Sequence, residues 1–176
     1  MKRALFIGRF QPFHKGHLYS VNYILKEFEE VVIVVAAAQY SYTLDNPFTA
    51  GERIEMIKAG LSDLYDRAYV IPIDNTLSNY EWPRHVLNYT PRVSVVFSNN
   101  KLVQILFKTY GLETRGTPVL SGVSGSLVRK LMAEGGEWEV LVPEPTANLI
   151  KEFNGVERMK TLWAMRVKMS GERFDE

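Results

Sequence analysis

The chain has 176 residues, 46% of them hydrophobic, which suffices for one ordinary domain with a core on both sides of a sheet. Its 21 basic and 20 acidic residues leave a net charge of +1, which argues against a broad electrostatic footprint on nucleic acid or an anionic membrane, so anion recognition has to be local. Cysteine is absent, removing disulfides, thiolate catalysis and cysteine zinc sites together, and the apolar runs are strand-length with no visible leader or span; a soluble, cytoplasmic protein is expected.

In chain order, an apolar run at residues 4–8 predicts a first strand. Residues 14–28 follow with Leu18, Val21, Ile24, Leu25 and Phe28 on one helical stripe. A second strand is predicted at 31–38. A helix over 49–61 should start at a capping box formed by Thr49 and Glu52. Strands at 68–73 and 93–97, a helix at 100–110, a short fifth strand near 113–118 and a helix at 124–132 complete an α/β core over residues 1–142. The strand runs are nearly continuous rather than alternating, as in a parallel sheet covered on both faces, and the predicted class is a Rossmann-like doubly wound fold with right-handed crossovers. Residues 143–176 read as a helical extension, with helices at 146–153 and 156–168 and a frayed end.

Ligands of such sheets sit beyond the carboxyl ends of the strands. Gly8-Arg9-Phe10-Gln11-Pro12-Phe13-His14-Lys15-Gly16-His17 places an arginine, a lysine and two histidines in the first strand-to-helix turn, the outline of a polyanion site. Gly8 and Gly16 allow close approach, and the helix start adds free amides and partial positive charge. His14 and His17, three apart, share one helical face and can reach one phosphate chain. Half of a metal site and a solvated helix start with incidental histidines are the alternatives. Walker and G-x-G-x-x-G spacings are both absent, which removes the main support for a kinase-type reading.

A second anion-binding helix start is formed by Ser124, a good N-cap, with Gly125, Ser126 and the forked guanidinium of Arg129; an ordinary capped helix is the alternative. Trp82 lies past the third strand at the same sheet edge, as an aromatic platform for a flat cationic ring or as a core residue. Ser98 and Asn99, after the fourth strand, read by themselves as a plain strand-to-helix turn with Asn as cap. Arg53 either reaches a phosphate or pairs with an acid on its own helix, and His85 is structural or incidental.

The string GRFQPFHKGH resembles the HxGH signature of the nucleotidyltransferase superfamily, in the form characteristic of its archaeal-type nicotinamide-nucleotide adenylyltransferase branch. Gln39 followed by Asn46-Pro47-Phe48-Thr49-Ala50-Gly51-Glu52-Arg53 is similar to that branch's second loop and helix. Ser124 to Arg129 resembles the second superfamily signature, with Ser126 where threonine is commoner. Asn154-Gly155-Val156-Glu157-Arg158 resembles the branch's C-terminal stretch. The resemblance implies adenylyl transfer from ATP to nicotinamide mononucleotide (NMN), with Mg2+ carried by the triphosphate and a homo-oligomer, often a hexamer. It implies catalytic roles for Arg9, His14, His17 and Arg129, and ATP contacts from Gly8, Arg9, Phe10, Lys15, Gly16, Ser98, Asn99, Ser124, Gly125, Ser126 and Arg129. Acceptor contacts are implied for Gln39, Asn46, Phe48, Arg53, Asn79 and Trp82, with Trp82 on the nicotinamide. Asp45 stands where some relatives carry a basic, phosphate-contacting residue. Transfer to flavin mononucleotide, phosphopantetheine or a polyol phosphate is the runner-up, a non-catalytic nucleotide sensor the reading from another class, and a nucleic-acid module is disfavoured by the neutral charge.

Overall fold

A computed structural model describes residues 2–171. Five parallel strands, β1 (Arg3–Gly8), β2 (Glu30–Ala36), β3 (Ala68–Ile73), β4 (Val95–Phe97) and β5 (Glu113–Arg115), form one sheet in the order β3-β2-β1-β4-β5. Central β1 and β2 bury both faces, so their continuous apolar character has a direct cause. Ala4, Phe6, Val31, Ile33 and Val35 enter one core, while Leu5, Ile7, Val32, Val34 and Ala36 enter the other.

The first core is closed by α1 (Lys15–Ile24), α2 (Ala50–Leu61), α5 (Gly125–Glu134), α6 (Glu144–Glu152) and α7 (Gly155–Gly171), through residues such as Val21, Met56, Val128, Ile150 and Met159. The second is closed by α3 (Trp82–Tyr89) and α4 (Lys101–Thr109), through Trp82, Val86 and Phe107. Helices therefore leave β1 and β4 towards opposite faces. The strand order reverses between those two strands, and the crevice at their carboxyl ends is where doubly wound sheets hold ligands.

Most predicted elements stand close to their expected bounds. The first helix is shorter than expected, ending at Ile24, although Leu25 and Phe28 are still buried in the turns that follow. Strand β2 stops at Ala36 because Ala37 takes a left-handed φ of 52°, which turns the chain out of the ladder. Helix α3 was not expected. It begins at Trp82 with Pro83 in its first turn and no side-chain cap, and buries Trp82, Pro83 and Val86. Helix α6 lies close on α2, where Thr146 Oγ1 donates to the Met56 carbonyl; a Cβ on Gly60 would sit 2.7 Å from Thr146 Oγ1 and from the Phe13 ring. The frayed end predicted for the last few residues lies outside the described residues.

Candidate active site

The crevice between β1 and β4 holds two adjoining hollows that share Ile7, Ser98 and Asn100. One, of about 330 Å³, is lined among others by Gly8, Arg9, Ala37, Asn75, Asn79 and Trp82. The other, of about 280 Å³, is lined by His14, Gly16, His17, Thr117, Ser124 and Gly125 with their neighbours. The first turn of α1 fixes both imidazoles. His14 is its N-cap: the His17 amide donates to His14 Nδ1 at 3.3 Å, and the His14 amide donates to His17 Nδ1 at 3.2 Å. Nδ1 of each ring is thereby an acceptor, so in the neutral tautomer each carries its proton on Nε2. The rings stack with centroids 3.6 Å apart, and a Cβ on Gly16 would sit 3.0 Å from the His14 ring, so this glycine makes room for the pair. Burial, with Arg129 close by, lowers the His14 pKa to about 4; burial, with His14 beside it, pushes His17 well below its usual value. At neutral pH both are uncharged N–H donors.

The second helix start is joined to the first directly. Arg129 is 7% exposed, and its Nη1 donates to the Gln11 carbonyl at 2.9 Å, which brings α5 onto the β1–α1 loop. Gly125 allows this, since a Cβ there would lie 3.2 Å from Arg129 Nη1 and 3.4 Å from the Gln11 oxygen. Ser124 caps α5 by accepting from the Leu127 amide. Arg129 Nη2 is 3.4 Å from both Ser126 Oγ and the exposed Asp45 carboxylate. Arg9 is exposed on the cleft wall, and its charge acts on both Arg53 and Arg129, lowering their pKa values after burial has done most of it. The site is cationic and rich in donors, an arrangement that suits an anionic ligand.

Several expected residues serve the site from behind. Phe10, with φ of 52°, folds its ring over Gly8, where a Cβ would be 3.0 Å away, and packs 4.7 Å from the His17 ring. It supports the imidazole from the core, with its own ring almost wholly buried. Lys15 is exposed at the first position of α1. The Asn99 amide is engaged with Thr117, and Gln39 exchanges two hydrogen bonds with the Asn75 backbone. Asn79 and Trp82 do line one hollow; Trp82 is also 8% exposed and edge-on to Phe107, so it is a core residue whose remaining surface borders that hollow. Asn46 closes a turn on Thr43, with its Oδ1 buried and unpartnered.

Two acceptor assignments are corrected. Phe48 is fully buried, with its ring against Gly155 and beneath the Arg158 guanidinium, so the ring is core. Arg53 neither faces a phosphate nor pairs with an acid. Wholly buried, it donates to the carbonyls of Thr49, Arg9, Ala36, Ala37 and Ala38, which are the loop ends of β1 and β2 and the cap of its own helix. The acid of that helix, Glu52, instead caps Thr49 and forms a two-pronged pair with Arg158 at 2.7 Å, which ties α7 to α2. Gln11 was missed. Its buried amide donates to the Phe48 carbonyl and accepts from the Phe48 amide, locking the two loops together. A lone glutamine inside an aromatic and histidine-rich turn was the signal for it. Among the described residues no three His, Asp or Glu side chains converge on a metal position, and both Nδ1 atoms of the histidine pair are already committed.

The chain is similar to known proteins in sequence and in fold. The cytidylyltransferase-like family model matches residues 5–131. The chain is 45% identical over 164 residues to a nicotinamide-nucleotide adenylyltransferase of Methanosarcina mazei, covering 92% of this chain and 95% of that protein. It is 46% identical over 168 residues to one of Pyrobaculum arsenaticum, covering 92% and 94%. The fold is similar to a bifunctional NMN adenylyltransferase/ADP ribose pyrophosphatase of Francisella tularensis, with TM-score 0.80 and 19% identity; the match covers 98% of this chain and 55% of that longer one.

Proposed function

The chain belongs to the nicotinamide-nucleotide adenylyltransferase family, and on that premise we propose that its cleft transfers the adenylyl group of ATP to NMN, giving NAD and pyrophosphate. The observation that carries the reading is the junction of the two helix starts: Arg129 on the Gln11 carbonyl sets a guanidinium beside two neutral imidazole donors at one end of a divided hollow. A chain of phosphates laid across that junction meets Arg9, His14, His17, the α1 and α5 amides, Ser124, Ser126 and Arg129. The adjoining hollow, with Trp82 and Asn79 on its wall, suits a pyridine nucleotide.

In the proposed reaction a phosphate oxygen of NMN attacks the α-phosphorus of ATP in line, forming one P–O bond as the bond to pyrophosphate breaks. The attacking phosphate is already ionised near neutral pH, so no strong general base is needed. The protein holds two anions at attack distance and meets the charge growing on the α-phosphate and the leaving group. Neutral imidazoles suit this, because a donor that stays uncharged holds the transition state without trapping the product pyrophosphate as an ion pair. A divalent cation, for which we name magnesium, would neutralise the triphosphate; with no carboxylate cage among the described residues, it fits as an ion brought by the nucleotide.

The reading includes a cytoplasmic homo-oligomer, for which the hexamer is proposed. Met165 is exposed on α7 while Trp163 packs towards the core, so of these two Met165 is the one available to an interface. The decisive test is a panel of NMN, its deamidated form, flavin mononucleotide, phosphopantetheine and a polyol phosphate, each with ATP and with CTP. Pyrophosphate release is followed and the product identified by mass. NAD formed from ATP and NMN far faster than any other product is expected, whereas tight ATP binding without turnover of any acceptor would sink the proposal.

A further inference from the structure

A buried polar relay ties together the three segments that surround the histidine half of the cleft. Ser20, in the second turn of α1, is 6% exposed; Thr117, in the loop between β5 and α5, is 7% exposed; Asn99 follows β4. Ser20 Oγ lies 3.1 Å from the Gly16 carbonyl and 2.9 Å from Thr117 Oγ1, and Asn99 Nδ2 donates to Thr117 Oγ1 and to the Thr117 carbonyl, both at 3.2 Å. The Thr117 amide donates back to Asn99 Oδ1 at 2.9 Å.

The directions follow from proton count. A carbonyl only accepts, so Ser20 gives its single proton to Gly16 and takes one from the Thr117 hydroxyl, which itself accepts from Asn99. All bonds in the chain are satisfied in one arrangement only. A Cβ on Gly116 would sit 2.9 Å from Asn99 Oδ1, so that residue is glycine where the amide lies flush on the backbone. The relay runs from Gly16, between the two histidines, to the turn carrying Ser98 and Asn100, which line both hollows. Beyond Thr117, the segment Pro118, Val119, Leu120 and Val123 forms an apolar wall of the same hollow, with Val119 78% exposed. Among the described residues, no other hydrogen bond joins that wall to α1.

We infer that Thr117, acting through Ser20 and Asn99, is a positioning residue that sets nucleoside triphosphate recognition by holding the 117–120 wall at a fixed distance from the histidine pair. The inference rests on the reading of this half as the ATP half. A flat base against an apolar wall is selected by wall spacing and by backbone groups, and both need a wall that does not drift.

Thr117→Val keeps the shape and removes the hydroxyl, breaking the relay at its centre. The expected result is a KM for ATP raised about tenfold, in line with the loss of one or two buried hydrogen bonds. The expected kcat stays within about twofold, the KM for NMN is unchanged, and the kcat/KM preference for ATP over GTP and CTP narrows; Thr117→Ser restores all of these. Ser20→Ala, which removes one link, should give a smaller shift of the same kind and serves if Thr117→Val folds poorly. Equal rises in both KM values, or an unchanged KM for ATP and unchanged base preference in a folded variant, would overturn the inference. Wild-type protein that makes no NAD from ATP and NMN would instead overturn the reading beneath it.

Discussion

Replacing Arg53 separates a structural from a catalytic cation. Its guanidinium spends all of its N–H groups on five carbonyls inside the protein. Thr49 and Ala37 also accept backbone amides, from Arg53 itself and from Tyr40, so at most the carbonyls of Arg9, Ala36 and Ala38 are orphaned in Arg53→Met. At about 1–3 kcal/mol for each unsatisfied buried group, the loss is about 3–9 kcal/mol. Part is offset by removing a charge whose burial has already lowered its pKa to about 10. A net destabilisation of about 4 kcal/mol is expected, a large share of the stability of a domain this size. Urea unfolding of the apoprotein measures it. The orphaned carbonyls bound the wall formed by Arg9, Ala36 and Ala37, so whatever activity survives should show a disturbed cleft rather than a selective loss. A variant of wild-type stability with only its KM for NMN raised would refute the structural assignment and restore a direct acceptor contact.

His17→Ala should lower kcat by roughly a hundredfold at saturating substrates with the fold intact by circular dichroism, as for loss of one preorganised donor at the transferred phosphate. Asp45→Asn should lower the KM for ATP two- to fivefold, since the carboxylate 3.4 Å from Arg129 Nη2 competes with a phosphate for that guanidinium, and so exposed a pair is worth at most about 1 kcal/mol; a raised KM would show that Asp45 helps to hold the nucleotide. Acid should destabilise the apoprotein in a defined window. The His14 pKa is about 4 when folded against 6.5 when unfolded, so between those values the unfolded chain binds the extra proton, and stability falls as pH drops from 6.5 and levels off below 4. The His14 share is about 3 kcal/mol. His14→Asn, which can still cap α1, should flatten that part of the stability profile, and an equally steep profile would locate the proton uptake elsewhere.

What the sequence made legible divides along a physical line. Strands β1 and β2 were readable because burial on both faces leaves an unbroken apolar run, and α2 because Thr49 and Glu52 write its capping box locally. Helix α3 was not: it is eight residues long, uncapped by any side chain, and held by the packing of Trp82 and Val86 against Phe107 on α4. The histidine pair and the Ser124-to-Arg129 helix start were legible as local constellations, because the residues that build each lie within a few positions of one another. Gln11 and Thr117 were not, since their partners stand 37 and 97 residues away, at Phe48 and Ser20.

The arginines carry the same division into function. Arg9, Arg53 and Arg129 are one residue type at one end of one sheet, and each looked fit to hold a phosphate. Their roles are decided by how many backbone carbonyls point at each guanidinium. Five do at Arg53, three of them because the left-handed turn at Ala37 swings the end of β2 around it, and no donor is left for a ligand. At Arg129 one carbonyl, that of Gln11, fixes the orientation of the fork, and Nη2 is left towards an exposed carboxylate that a phosphate can displace. A guanidinium held at one corner and free at another is oriented without being saturated, and that state depends on loop conformation, which residue type alone does not encode.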